Sequence, residues 1–215
     1  QFVIFKIFTI MIEIEDIAFE NFLDENFSIV ANEEKQTKEE KAQEIFPILP
    51  VRNMVMFPKV VIPITAGREK SIKLLEEAQK NGQLIGILSQ KLSQQENPTE
   101  KDLYQIGTIA KIIKIIKLPD GNISAITRGV QRFKVKNFIE TEPYFTAEIE
   151  KLKDSSTKKK EEYEALIDNI KDLAIKIIEI DPNIPGAANF AIRNIEGQED
   201  LLNSICVNAN FSSEN

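Results

Sequence analysis

From Ile45 onward the spacing of hydrophobic positions changes twice, and each change marks a different kind of element. The segment IFPILPVRNMVMFPKVVIPIT is dense in β-branched and aromatic residues, yet it carries Pro47, Pro50, Pro58 and Pro63. A proline cannot donate to a sheet ladder, so this pattern predicts short strands at sheet edges and strand ends. Pro47 and Pro50 also fit a P-x-x-P ligand pattern, but the apolar residues between them favour a strand. Over Arg68–Lys80 the period becomes helical, with Ile72, Leu75 and Ala78 on one face. Thr65 or Gly67 would serve as N-cap, and Asn81-Gly82 as the stop. LIGILSQ at 84–90 reads as a buried strand, and KLSQQENPTEKD as an exposed loop with a capping box from Thr99 to Asp102.

The run IGTIAKIIKIIKL is ambiguous in period. Ile109, Ile112, Ile113 and Ile116 fit a helix, and Lys111, Lys114 and Lys117 recur every three residues. Dense β-branching and the turn signal Pro119-Asp120-Gly121-Asn122, leading into the alternating ISAITR, argue for a strand hairpin instead. The strand is the reading adopted. Two further strands follow, one with Phe133 and Val135 alternating with Arg132, Lys134 and Lys136, the other with Phe145, Ala147 and Ile149 alternating with polar residues. After the polar break KLKDSSTKKK, a long helix begins at Glu161, with Tyr163, Leu166, Ile167, Ile170, Ala174 and Ile177 read as one stripe, and Pro182 ends it. Two shorter helices are predicted near Ala187–Ile195 and Gln198–Asn208.

The fold class predicted is therefore α+β. Residues 44–150 form a small, nearly closed β-barrel with one or two helices, 151–160 a linker, and 161–215 an α-helical subdomain. Residues 1–43 read as an acidic, largely flexible tail. Residues 1–12 contain Lys6, lack a small-residue cleavage site and are too short to span a bilayer, so they are not read as a signal or a membrane span, and with Met11 a more plausible start, Gln1–Ile10 reads as upstream sequence.

Composition removes several chemistries. There is no His, so neither a Ser-His-Asp set nor a His-ligated zinc is available. Cys206, the single cysteine, can form no internal disulfide and suits a reducing compartment. Charge is uneven: residues 11–43 hold ten acids and three lysines, whereas 44–150 hold fifteen bases and twelve acids. That mild basic bias neither requires nor excludes a nucleic-acid partner.

Two blocks, FPILPVRNMVMFPKVVIPITAGREKSIKLLEEA and DLYQIGTIAKIIKIIKLPDGNISAITRGVQRFKV, carry a family resemblance. Over Phe46–Arg132 the chain resembles the N-terminal domain of the ATP-dependent Lon proteases, bacterial type; residues 161–215 match only in position and helical character. The resemblance implies a PUA-like barrel followed by helices, which agrees with the strand reading of the isoleucine run. It also implies a role in recognising unfolded or misfolded protein substrates and in assembling a homohexamer. The parent would be a cytoplasmic ATP-dependent serine endopeptidase using ATP and Mg. The chain itself contains no G-x-x-x-x-G-K-[ST] phosphate loop, so no cofactor and no membrane association are expected of it. Ser155 and Ser156 precede Lys158 and Lys159 by three residues, but in a lysine-rich stretch that spacing is coincidental, and no Ser-Lys dyad is read.

For a site that must hold many unfolded sequences and release them, exposed apolar and charged patches are expected in place of one deep pocket. Arg68, Glu69, Lys70 and Lys73, on the first turns of a helix, are the charged candidates. Met54, Met56 and Phe57 are the apolar ones, with a partly buried role as the competing reading. The alternative function is a standalone PUA-like binding module for protein or RNA, with Arg132, Lys134 and Lys136 lining one strand. The absence of Trp and of an aromatic stacking platform counts against RNA. A third reading, an enzyme built on paired carboxylates, has no pocket signal around its acids.

Overall fold

Strands β1 (Ile45–Val51), β2 (Val61–Ala66), β3 (Ile85–Ser89), β4 (Ile106–Lys117), β5 (Ile123–Glu140) and β6 (Phe145–Lys151) form one mixed sheet in the order β2-β5-β4-β3-β1-β6. Because β6 also pairs with β5, the sheet closes on itself and β2 alone stands outside the ring. The computed structural model describes residues 45–153, 160–182, 184, 186–195 and 197–208, so the tail expected at 1–43 and most of the linker lie outside the described residues. Helix α1 (Glu69–Asn81) follows β2, and α2 (Lys160–Ile180), α3 (Ala187–Asn194) and α4 (Gln198–Asn208) follow β6. The α+β class and the strand assignment of the isoleucine run both hold.

The prolines find places where their missing donor is harmless. Strand β1 pairs with antiparallel β6 over Ile45–Ile48 and with parallel β3 over Ile48–Val51, so each half has a neighbour on one side only. Pro47 and Pro50 fall one in each half, and Pro63 falls in β2, an edge strand paired to β5 alone.

Two expectations need correction. The segments around ISAITR and Phe133–Val135 are one strand of 18 residues, not two. Gly129, which looks like a break in sequence, instead continues the strand and leaves room for a neighbouring backbone. The cap of α1 is Arg68, in extended conformation and without a side-chain cap, not Thr65 or Gly67. Gly82 closes the helix as expected, in the left-handed conformation at φ 63°.

Among the described residues three apolar clusters form the core. Leu74, Leu75 and Ala78 of α1 pack on Leu49, Ile62, Ile64, Ile85, Ile87 and Ala125, filling one end of the barrel. Ile48, Leu88, Leu103, Ile109, Phe133 and Ile149 fill the other. Each such fully buried side chain contributes about 1.5–3 kcal/mol relative to exposure. In the third cluster Ile167 and Ile175 of α2 pack with Ile192 of α3 and Leu201 of α4. The single stripe read on α2 is in fact two faces: Ile167 is buried, whereas Leu166 and Ile177 are each 59% exposed, and Leu173 and Ile180 are exposed beside them. A helix turns about 100° per residue, so 166 and 167 cannot share a narrow face. The helical part reaches the barrel through Val207, which packs on the first cluster, through the Lys59 Nζ–Asp200 Oδ1 ion pair at 3.0 Å, and through Asn203 Nδ2 donating to the Pro58 carbonyl at 3.3 Å.

Candidate functional site

The loop from Arg52 to Lys59 joins β1 to β2, and its sequence, RNMVMFPK, is too apolar for a free loop. Its backbone is held from below. Ser89 Oγ of β3 donates to the Met54 carbonyl at 2.5 Å, and the buried Thr108 Oγ1 of β4 donates to the Met56 carbonyl at 2.6 Å. At the far end the Lys59 N–H donates to the Gly129 carbonyl at 2.9 Å, and the Gly129 N–H to the Val60 carbonyl at 3.0 Å. Asn53 and Lys59, at φ 50° and 63°, supply the left-handed turns that bracket the loop. A Cβ on Gly129 would collide with the Phe57 carbonyl oxygen and sit 2.9 Å from its carbon, which is why the long strand carries a glycine there.

These restraints sort the apolar candidates. Met56 is 4% exposed and belongs to the first core cluster, so its side chain is structural. Met54 and Phe57 are half-buried, and Val55 between them is 50% exposed. Sequence reasoning passed over Val55, although its place between two methionines in an extended segment is the signal that sends it to the opposite face.

The charged candidates separate as well. Arg68 is half-buried, and its Nη2 donates to Gln90 Oε1 at 2.5 Å and to the Gln95 carbonyl at 3.4 Å. Burial and the nearby Arg52 guanidinium lower its pKa, with Glu96 opposing them. Gln90, 1% exposed, was invisible as a functional partner in the sequence because a polar residue at a strand end reads as surface. Through Ser89 and Gln90, adjacent in the chain, the Arg68 end of α1 and the Met54 end of the loop border the same stretch of the barrel. Lys70 points the other way, paired with Glu142 and donating to the Thr141 carbonyl at 3.5 Å in the β5–β6 turn. Lys73 lies 3.9 Å from Glu77, whose carboxylate also accepts the Tyr144 hydroxyl at 2.8 Å. Burial, then Glu77, raises the Tyr144 pKa. Glu69 is exposed. The structure thus brings Arg68 and the Met54 carbonyl to the neighbouring residues Gln90 and Ser89, holds Phe57 against Gly129 at the other end of the loop, and places Lys70 and Lys73 beside a different turn.

Beyond Gln90 the loop is ordered by the capping box expected in sequence. Asp102 accepts from the Thr99 hydroxyl at 2.6 Å, the Thr99 N–H at 2.7 Å and Gln95 Nε2 at 2.8 Å. The Thr99 hydroxyl and then its N–H hold the Asp102 carboxyl below the usual carboxylate range, with smaller help from Gln95 and Lys91. A folded pKa below the unfolded value means the contribution is complete above the unfolded pKa of about 3.9 and is lost as pH falls through the folded one. Acidification below about pH 4 is therefore expected to free the Thr99 amide while the barrel strands stay protected. Amide exchange measured along an acid titration checks this; a Thr99 amide whose protection does not change with pH would count against it.

Among the described residues no group of three or more acids or cysteines is placed to hold a metal, and no helix is long and apolar enough to cross a membrane.

Comparison with known proteins bears on what this surface serves. Residues 45–215 match the family model described as the ATP-dependent protease La (LON) substrate-binding domain. The chain belongs to that family. It is 43% identical over 185 residues to the Lon protease of Flavobacterium johnsoniae, covering 86% of this chain and 23% of that one. Against the Lon protease of Cytophaga hutchinsonii the figures are 40% over 183 residues, 85% and 22%. The chain thus spans less than a quarter of the length of these relatives. The fold of the Lon substrate-binding domain is matched in three dimensions by the N-terminal domain of the Mycobacterium avium complex Lon protease, at a TM-score of 0.64 and 17% identity, over 80% of this chain and 86% of that one. That likeness, over four fifths of the chain, is one of fold.

Proposed function

We propose that this chain recognises unfolded or misfolded protein segments for a parent ATP-dependent serine endopeptidase, and that it does no chemistry itself. The observation that carries the reading is the loop Arg52–Lys59: an apolar surface whose carbonyls accept from Ser89 and Thr108, whose Lys59 N–H donates to Gly129, and whose Met54 end is bordered by Arg68. Rigid support with adaptable Met and Phe side chains at the rim suits weak contact with many sequences. Glu69, Lys70 and Lys73 add a charged border on the same helix. In this reading the parent is a cytoplasmic homohexamer that binds ATP and Mg elsewhere, since this chain contains no phosphate-loop motif. The barrel at 44–150 and the helices at 161–215 are joined by 151–160 and meet again through Val207, Asn203 and the Lys59–Asp200 pair.

A few partly exposed contacts correspond to a Kd on the order of 100 μM, about −5.5 kcal/mol. Several copies in a ring would gain roughly 10²- to 10⁴-fold where one substrate reaches two of them. The test is binding of an unfolded casein-like protein at two salt concentrations. Replacing Glu69, Lys70 and Lys73 by Ala is expected to leave the fold intact and remove the salt-sensitive part of binding, because exposed charges are screened as the Debye length falls from about 10 Å to about 3 Å. Arg68 is retained in that variant, since truncating it would strand the buried Gln90 carbonyl at a cost of about 1–3 kcal/mol. If salt dependence is unchanged in the triple variant, the charged border plays no part.

A further inference from the structure

Strands β2, β5 and β4 have an outer face that the core does not use. Strand register places Val61, Arg128 and Lys111 side by side across it, and Pro63, Ile126 and Lys114 in the next row. The intervening residues Ile62, Thr127 and Ile112 point the other way, into the core or onto it. Lys114 is exposed, and the other five are half-buried. Among the described residues Lys111, Lys114 and Arg128 make no ion pair and no hydrogen bond, whereas Lys59, Lys70, Lys73, Lys117 and Lys136 each have a carboxylate partner. Lys111 stands directly opposite Arg128, a like-charge juxtaposition that is destabilising on a sheet. Three cations with no counter-charge among the described residues, set among aliphatic side chains, form a surface complementary to acids and aliphatics together.

We infer that this face docks extended polypeptide segments in which carboxylates are interspersed with aliphatic residues. This deepens the substrate-binding reading and rests on it. Isoleucine, valine and proline between the cations suit aliphatic side chains and offer no stacking platform for bases, which favours polypeptide over nucleic acid. Pro63 removes a donor from the middle of the free β2 edge, so the segment lies across the face and is not added as a seventh strand.

The test uses the whole 215-residue chain and short fluorescent peptides in which Leu and Ile alternate with Glu, Lys or Ser. Two variants are compared with the wild type: Lys111→Gln/Lys114→Gln/Arg128→Gln, and the corresponding triple replacement by Glu. All three side chains point away from the core, so unchanged circular dichroism is expected. The acidic peptide should bind the wild type about 10-fold more tightly than the lysine peptide, lose about 10-fold in the Gln variant, and rank below the lysine peptide in the Glu variant. The serine peptide should bind all three proteins alike, through the apolar loop. Equal binding of the acidic peptide to all three proteins would overturn the inference, and retained serine-peptide binding would then leave the substrate-binding reading standing. Failure of the wild type to bind any peptide would overturn both. A single-stranded oligonucleotide displacing the acidic peptide from the wild type, but not from the Gln variant, at lower concentration than unlabelled peptide would reassign the face to nucleic acid.

Discussion

Gly129→Val is expected to cost about 3 kcal/mol and to dismantle the candidate binding loop while leaving the far end of the barrel in place. The reason is local and steric. The position of a Cβ at 129 is already occupied by the Phe57 carbonyl oxygen, and lies 3.1 Å from Pro58 Cα. These are backbone atoms that cannot rotate aside, so the loop must lift. Lifting it breaks the Lys59–Gly129 and Gly129–Val60 hydrogen bonds. It also strips Thr108 of the Met56 carbonyl it holds in the interior. Val130→Ala is the control, because that side chain is 42% exposed and its loss should stay within about 0.5 kcal/mol. Urea denaturation reads both values, and binding of unfolded protein should fall with Gly129→Val only. A Gly129→Val midpoint equal to that of wild type would mean the loop is not held against β5.

The second large effect is expected at Phe133, fully buried at the end of the barrel away from α1. Two glycines shape its pocket: a Cβ on Gly86 would lie 3.0 Å from the ring, and one on Gly107, its partner on β4, 3.1 Å from it. The ring, with Ile48 Cδ1 and Leu88 Cδ2, therefore fills the space of two absent side chains, and those two side chains are too small to fill the cavity that its loss would leave. Phe133→Ala should cost about 3–5 kcal/mol, seen as a lower denaturation midpoint at unchanged slope. A loss under 1 kcal/mol would show that the strands relax into the gap.

The strands were legible wherever alternation or turn chemistry was strong. In β4 the isoleucine spacing suggests a helix, but a hairpin signal at Pro119–Asn122 decides for strand because hairpin turns need strands on both sides. What could not be read was set by distant contacts. Gly129 resembles a strand break until Phe57, 72 residues away in sequence, is seen against it. The two faces of α2 could not be told apart in sequence, since Leu166 and Ile167 are equally apolar and only α3 and α4 choose between them. For the candidate site the sequence marked the correct stretches but not the roles. Met56 was indistinguishable from Met54 until Thr108 fixed the loop, and Arg68 from Lys70 until Gln90 drew it inward.

The central claim is that unfolded polypeptide meets this chain at the loop Arg52–Lys59 and the start of α1. Backbone amide shifts of the isotope-labelled chain, recorded while an unfolded casein-like protein is added, measure it most directly. Shifts are expected to concentrate at Met54, Val55, Phe57 and Arg68–Lys73, saturating at a Kd on the order of 100 μM and weakening in part with salt. Shifts confined to α2–α4, with the loop and α1 unmoved at saturation, would contradict it.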